Sequence, residues 1–97
     1  MATYILLASY TEQGIKGIKD TVKRTDAVRD LAKKAGLTMK ESYWTLGQYD
    51  VVAVFEAPDD ESMTAFSLSV ARLGNVKTQT LRAFSGKDMA SIIGKMA

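Results

Sequence analysis

The side chains able to do chemistry that do not read simply as solvated surface are Tyr10, Arg24, Tyr43, Trp44, Tyr49, Asp50 and Arg82. Tyr10 closes an apolar run, Arg24 precedes the apolar Val28 by four residues, and Tyr43, Trp44, Tyr49 and Asp50 flank a turn. An arginine on the apolar side of a helix requires a carboxylate, a carbonyl or an anionic ligand, because an unpaired charge in an apolar setting is too costly to persist. In a functional reading Asp50 acts as a base or orients Arg24, while Tyr10 or Tyr49 offers a hydroxyl to a small ligand. Glu56, on an apolar strand, is a further candidate base. Plainer readings compete. Arg24 pairs with Asp50 or Glu56, or snorkels to the surface; Asp50 bonds backbone N–H groups at a hairpin shoulder and Tyr49 packs on a cross-strand neighbour; Trp44 anchors a core or an interface. Arg82 shares one face of the last strand with Val76, Thr78, Thr80 and Phe84, and so either lines the same cavity as Arg24 or bridges subunits.

Absences narrow the chemistry. The chain has no His and no Cys, the side chains that most often bind transition metals, attach haem or act as neutral-pH bases, so neither metal nor cofactor is expected. Gly14 and Gly17 are not followed by Gly-Lys-Ser/Thr and make no phosphate loop. The 13 Lys and Arg against 11 Asp and Glu are scattered, which argues against a nucleic-acid partner. No stretch approaches the roughly 20 apolar residues of a membrane span, and residues 1–8 lack the basic start of a signal peptide. A cytoplasmic location is expected.

At 97 residues the chain has the length of one domain, 1–97. Thr3 to Tyr10 and Val51 to Ala57 are apolar on both alternating sets, as central strands covered on both faces are. Ile15, Ile18 and Val22 suggest a short irregular helix weakened by Gly14 and Gly17. Val28, Leu31, Ala32 and Ala35 mark the main helix over about residues 21–35, stopped at Gly36 after Lys33 and Lys34. Leu37 to Leu46 alternates as a half-exposed strand, with Leu37, Met39, Glu41 and Tyr43 on one side. Gly47-Gln48 suits a two-residue type II′ turn to the next strand. Acidic residues after Pro58 begin a helix carrying Met63, Phe66, Val70 and Leu73. A polar strand over 75–84 reads as an edge, and Ser85 to Asp88 reads as a capping box opening a short helix with Met89, Ile92, Ile93 and Met96. The order βαββαβ predicts a ferredoxin-like α+β fold with an antiparallel sheet and a short C-terminal helix. Both helices of that fold cover one face, so the apolar second face of the central strands calls for cover by a second copy or by the tail helix, and self-association is the expectation.

Three segments, Tyr4 to Gly14, Tyr43 to Asp50 with its Gly47-Gln48-Tyr49-Asp50, and Leu73-Gly74-Asn75-Val76, resemble the GYD-domain family in order and over nearly the whole chain. The resemblance implies a ferredoxin-like fold of the dimeric α/β-barrel group, in which two sheets pair face to face. It selects no reaction, since that group includes cofactor-free monooxygenases, isomerases and decarboxylases, and ligand-binding regulators. The expected function is a homo-oligomeric small-molecule-binding module for an anionic or aromatic ligand. A cofactor-independent isomerase or monooxygenase, and a structural assembly protein working through its Met-rich tail, are the alternatives.

Overall fold

The two segments that are apolar on both sides become the two inner strands. A computed structural model describing residues 1–97 orders the chain as β1 (Ala2–Tyr10), α1 (Glu12–Lys16), a 3₁₀ turn (Ile18–Asp20), α2 (Thr21–Lys34), β2 (Thr38–Trp44), β3 (Val51–Ala57), α3 (Asp60–Ala71), β4 (Val76–Ala83) and α4 (Gly86–Ile93). The sheet runs β2-β3-β1-β4, antiparallel throughout. This is the ferredoxin-like arrangement that the element order predicts.

Register decides which side chains meet. Tyr4, Leu6 and Ala8 of β1 stand opposite Phe55, Ala53 and Val51 of β3 and face the helices. With Ala57, Met63, Phe66, Val70, Ala32 and Leu37, all of these but the partly buried Val51 form the buried core, where the Phe55 and Phe66 rings lie 5.1 Å apart at 56°. The other face carries Ile5, Leu7, Val52, Val54 and Leu81, none of them fully buried.

The main helix ends as expected. Gly36 takes φ +82°, its N–H donates to the Lys33 carbonyl, and the Leu37 N–H reaches back to the Ala32 carbonyl at 2.8 Å. That paired closure needs a left-handed residue, which Gly adopts without a Cβ clash.

Two expectations change. A bulge between Met39 and Glu41 inserts Lys40 into β2, and an extra residue flips the alternation beyond it. Met39 therefore faces the helices while Glu41 and Tyr43 face away. The β2–β3 connection is longer than two residues: the Thr45 N–H donates to the Asp50 carbonyl at 2.9 Å, and Leu46 to Tyr49 form the loop. The short irregular helix expected around Ile15, Ile18 and Val22 is present as α1, the 3₁₀ turn and the first residues of α2, and it leaves those three side chains exposed, at 53%, 37% and 58%.

α1 is held by its neighbour instead. Thr11 N–H donates to the Asn75 carbonyl (3.1 Å), Thr11 Oγ1 to the Gly74 carbonyl (2.5 Å) and Gln13 Nε2 to the Leu73 carbonyl (3.1 Å). The approach is so close that a Cβ on Gly14 would lie 2.0 Å from the Asn75 carbonyl oxygen. Gly14→Ala should destabilise the domain by about 1–3 kcal/mol, a fall in Tm of at least about 5 °C, measured by thermal unfolding; an unchanged Tm would contradict this packing.

Acid should loosen the helix starts. Asp59 accepts the Ser62 N–H at the start of α3 (2.8 Å), and Asp88 accepts the Ser85 N–H in the capping box of α4 (3.1 Å). These bonds hold both carboxyls below their ordinary value of 3.8. Since the folded values lie below the unfolded ones, the stabilisation is complete above about pH 4 and is lost as pH falls through the lower folded values. Helical circular dichroism followed from pH 7 to 2 should therefore hold steady to about pH 4 and fall below it.

Candidate functional site

Where α2 and the end of α3 leave the sheet incompletely covered, an apolar cleft of about 160 Å³ opens at the Tyr10 end of β1. Its floor is Leu6, Ala8, Ala53 and Phe55, its walls include Val28, Leu31, Val70 and Val76, and its polar groups come from Tyr10, Thr21, Arg24, Thr25, Ser42 and Asn75. An interior of aliphatic groups with a few polar atoms is the usual make-up of a small-molecule site.

Helical spacing places Arg24 as the sequence suggests, one turn before Val28 and on the same side of α2. It is half-buried and its Nη2 donates to the Gly14 carbonyl at 3.0 Å. The three side-chain ion pairs, Lys16–Glu12, Arg29–Asp26 and Lys40–Glu56, do not include it. A guanidinium has five N–H donors in a planar fork, so a carbonyl satisfies one of them and leaves the charge without a counter-ion. The expected pairing with Asp50 or Glu56 is absent for geometric reasons. Asp50 immediately precedes β3 and lies beside the last residues of β1, where its carboxylate accepts the Tyr10 N–H at 2.8 Å and its own N–H donates to the Ala8 carbonyl at 2.9 Å. Glu56 faces the other side of the sheet, 3.5 Å from Lys40.

Thr21, which sequence reasoning passed over, joins the aromatic candidates. Its Oγ1 lies 2.8 Å from the Tyr10 hydroxyl and accepts the Trp44 indole N–H at 3.1 Å. This one hydroxyl ties α2 to the ends of β1 and β2. Its signal in the sequence is faint, a Thr at a helix start, because only the strand pairing brings residues 10, 21 and 44 together.

The remaining candidates lie elsewhere. Tyr43 is on the opposite face, donating to Glu41 at 3.1 Å, which raises its pKa. Tyr49 donates to Gln79 at 2.7 Å, so its partner is a side chain of β4. Arg82 pairs in register with Tyr4, six residues and about 20 Å along β1 from Tyr10, and does not share the cavity of Arg24. It stacks over the rings of Tyr4 and Phe84, 5.5 and 4.6 Å from their centroids, and donates to the Thr3 and Ala83 carbonyls. Near it the buried Tyr4 donates to Asp60, and this bond raises the phenol pKa.

The three segments that carry the family resemblance thus meet at one place: Asp50 and Asn75 both bind the backbone of Tyr10-Thr11 at the rim of the cleft. The family model described as the GYD domain matches residues 4–93. The chain belongs to the GYD-domain family. A Thermus thermophilus relative named "Glutamine synthetase and cystathionine beta-lyase binding protein" is 33% identical over 90 residues, 92% of this chain and 95% of its own length. Among solved structures, FFRP-DM1 superposes with a TM-score of 0.61 at 19% identity, covering 87% of this chain and 100% of that one. A structure from Thermus thermophilus follows at 0.59 and 24%, covering 89% and 96%, and a hypothetical protein from Pyrococcus horikoshii at 0.55 and 21%, covering 88% and 92%. These likenesses establish the fold of the GYD domain. No helix is long and apolar enough to cross a membrane.

Asp50→Ala should leave the Tyr10 N–H without its acceptor and destabilise the GYD domain by about 1–3 kcal/mol, whereas Asp50→Asn, which keeps a carbonyl oxygen, should lose less than half as much. Equal losses in denaturant melts of the two variants would show that the carboxylate charge, not its acceptor geometry, matters.

Proposed function

We propose that this GYD domain is a homo-oligomeric binding module whose cleft takes a small molecule with an apolar body and an anionic end. The observation that carries the reading is Arg24, a half-buried guanidinium with one carbonyl partner and no carboxylate at the rim of an apolar cavity. A cavity of about 150 Å³ accepts a ligand the size of benzene, so a small aromatic or branched aliphatic carboxylate matches both the volume and the charge. The aliphatic open face of the sheet, with Ile5, Leu7, Val52 and Val54 at its centre, supports pairing with a second copy, since an apolar sheet face left in water favours association.

An isomerase or monooxygenase reading would call on Asp50 or Glu56 as a base. The first is held by the Tyr10 backbone and the second sits beside Lys40 on the other face, so the binding reading has the better support. A second reading, docking onto metabolic enzymes, is favoured by the name of the Thermus thermophilus relative, which matches over nearly its whole length. Mixing this chain with glutamine synthetase and cystathionine beta-lyase of its own organism and weighing the complexes by native mass spectrometry tests it; separate masses throughout would count against it.

For the cleft, thermal shifts with a panel of small aromatic and branched monocarboxylates are decisive. A ligand at a hundred times its Kd should stabilise the domain by about 2.7 kcal/mol, and Arg24→Met should abolish the shift while leaving the unliganded Tm within a few degrees. Panel-wide silence, or an equal shift in Arg24→Met, would contradict the proposal.

A further inference from the structure

α4 rests little of its surface on the domain, and even the most covered side chains of its apolar stripe, Ile92 and Met89, are 38% and 43% exposed. Every residue from Phe84 to Ala97 is exposed, yet Met89, Ile92 and Ile93 of α4, with Met96 just past its end, recur at the i, i+3, i+4, i+7 spacing of a helix that buries one side. Isolated helices shorter than about 12–15 residues are marginal in water, and most helical order in proteins comes from packing. α4 has eight residues, so its capping box alone does not account for it. The chain is also more extended than its length requires: its radius of gyration is 14.5 Å, with extents of 51 × 30 × 18 Å, against about 12.5 Å for a compact domain of this size.

What covers the stripe follows from area and position. Four strands about 4.8 Å apart and about seven residues long offer a footprint of roughly 440 Å² on the open face, little more than half of the ~800 Å² per partner in a standard stable interface. α4 leaves the sheet directly from β4, the edge strand that presents Leu81 and Ala83 on that same open face. We propose that α4 is an exchanged arm: each copy lays the Met89, Ile92, Ile93 and Met96 stripe on its partner, extending the sheet-to-sheet contact to the area a stable dimer needs. This inference rests on the self-pairing read from the open face. The unbranched methionines at two of the four positions suit such a contact, because they adapt to an irregular partner surface.

The test uses the full chain. Light and isotopically heavy copies are mixed, allowed to exchange and treated with a lysine-reactive cross-linker; Lys87 and Lys95 flank the stripe, and Lys77 reports on the open face of β4. Mixed light–heavy pairs from Lys87 or Lys95 are expected, and Ile92→Glu with Ile93→Glu should raise the dimer Kd at least about tenfold, measured by analytical ultracentrifugation. Because these side chains are exposed in the single copy, the variant should keep the strand signal in circular dichroism. A dimer of unchanged affinity in the variant would overturn the arm while leaving face-to-face pairing intact. Pairs within one copy only would show α4 folding back on its own chain and would likewise overturn it. A wild-type chain that stays monomeric at high concentration would overturn the pairing and the arm together.

Discussion

The backbone from Ala8 to Thr11 is where the fold closes. Within four residues, the Ala8 carbonyl accepts the Asp50 N–H, the Tyr10 N–H donates to the Asp50 carboxylate, and the Thr11 N–H donates to the Asn75 carbonyl. Residues forty and more apart in sequence are thereby fixed around one strand end, and the α1 turn is pressed so close that only Gly14 fits. The Tyr-Asp pair of the family motif accordingly works first as architecture. Asp50 completes the sheet where β1 leaves it, and Tyr49 spans to Gln79 on the far strand. The rim of the cleft is a by-product of that closure, since Tyr10, Asn75 and the Gly14 carbonyl that receives Arg24 all belong to it.

Two arginines on helix-facing positions show how surroundings separate a structural charge from an available one. Arg82 stacks on two rings and donates from Nη1 to two carbonyls, so its flat face and one end of its fork are engaged by the chain itself. Arg24 has one carbonyl, half-burial and an aliphatic cavity beside it. Coulomb attraction grows as water is excluded, so an anion at the rim would gain more from Arg24 than from any lysine on the exposed helix faces.

Much of the fold was legible because its signals are local. Two-sided apolar runs located the inner strands, Gly36 the end of α2, and Ser85 with Asp88 the start of α4. The candidate site was only partly legible. Arg24 and Tyr10 both line the cleft, but Arg82 lies at the other end of the sheet, since sharing a face does not fix a position along it. Lys40 shifted the alternation of β2, and nothing in its neighbours' hydrophobicity announces a bulge. Thr21 was missed because its role comes from pairings between residues 10, 21 and 44, which depend on register.

The most direct measurement is native mass spectrometry of the freshly purified full chain beside a denatured sample, which gives copy number and any non-covalent passenger together. An even-numbered assembly carrying one small mass per subunit, retained in the native protein and released on denaturation, is the predicted result. Empty subunits that also fail to take up any small carboxylate added in excess would contradict a ligand site at Arg24.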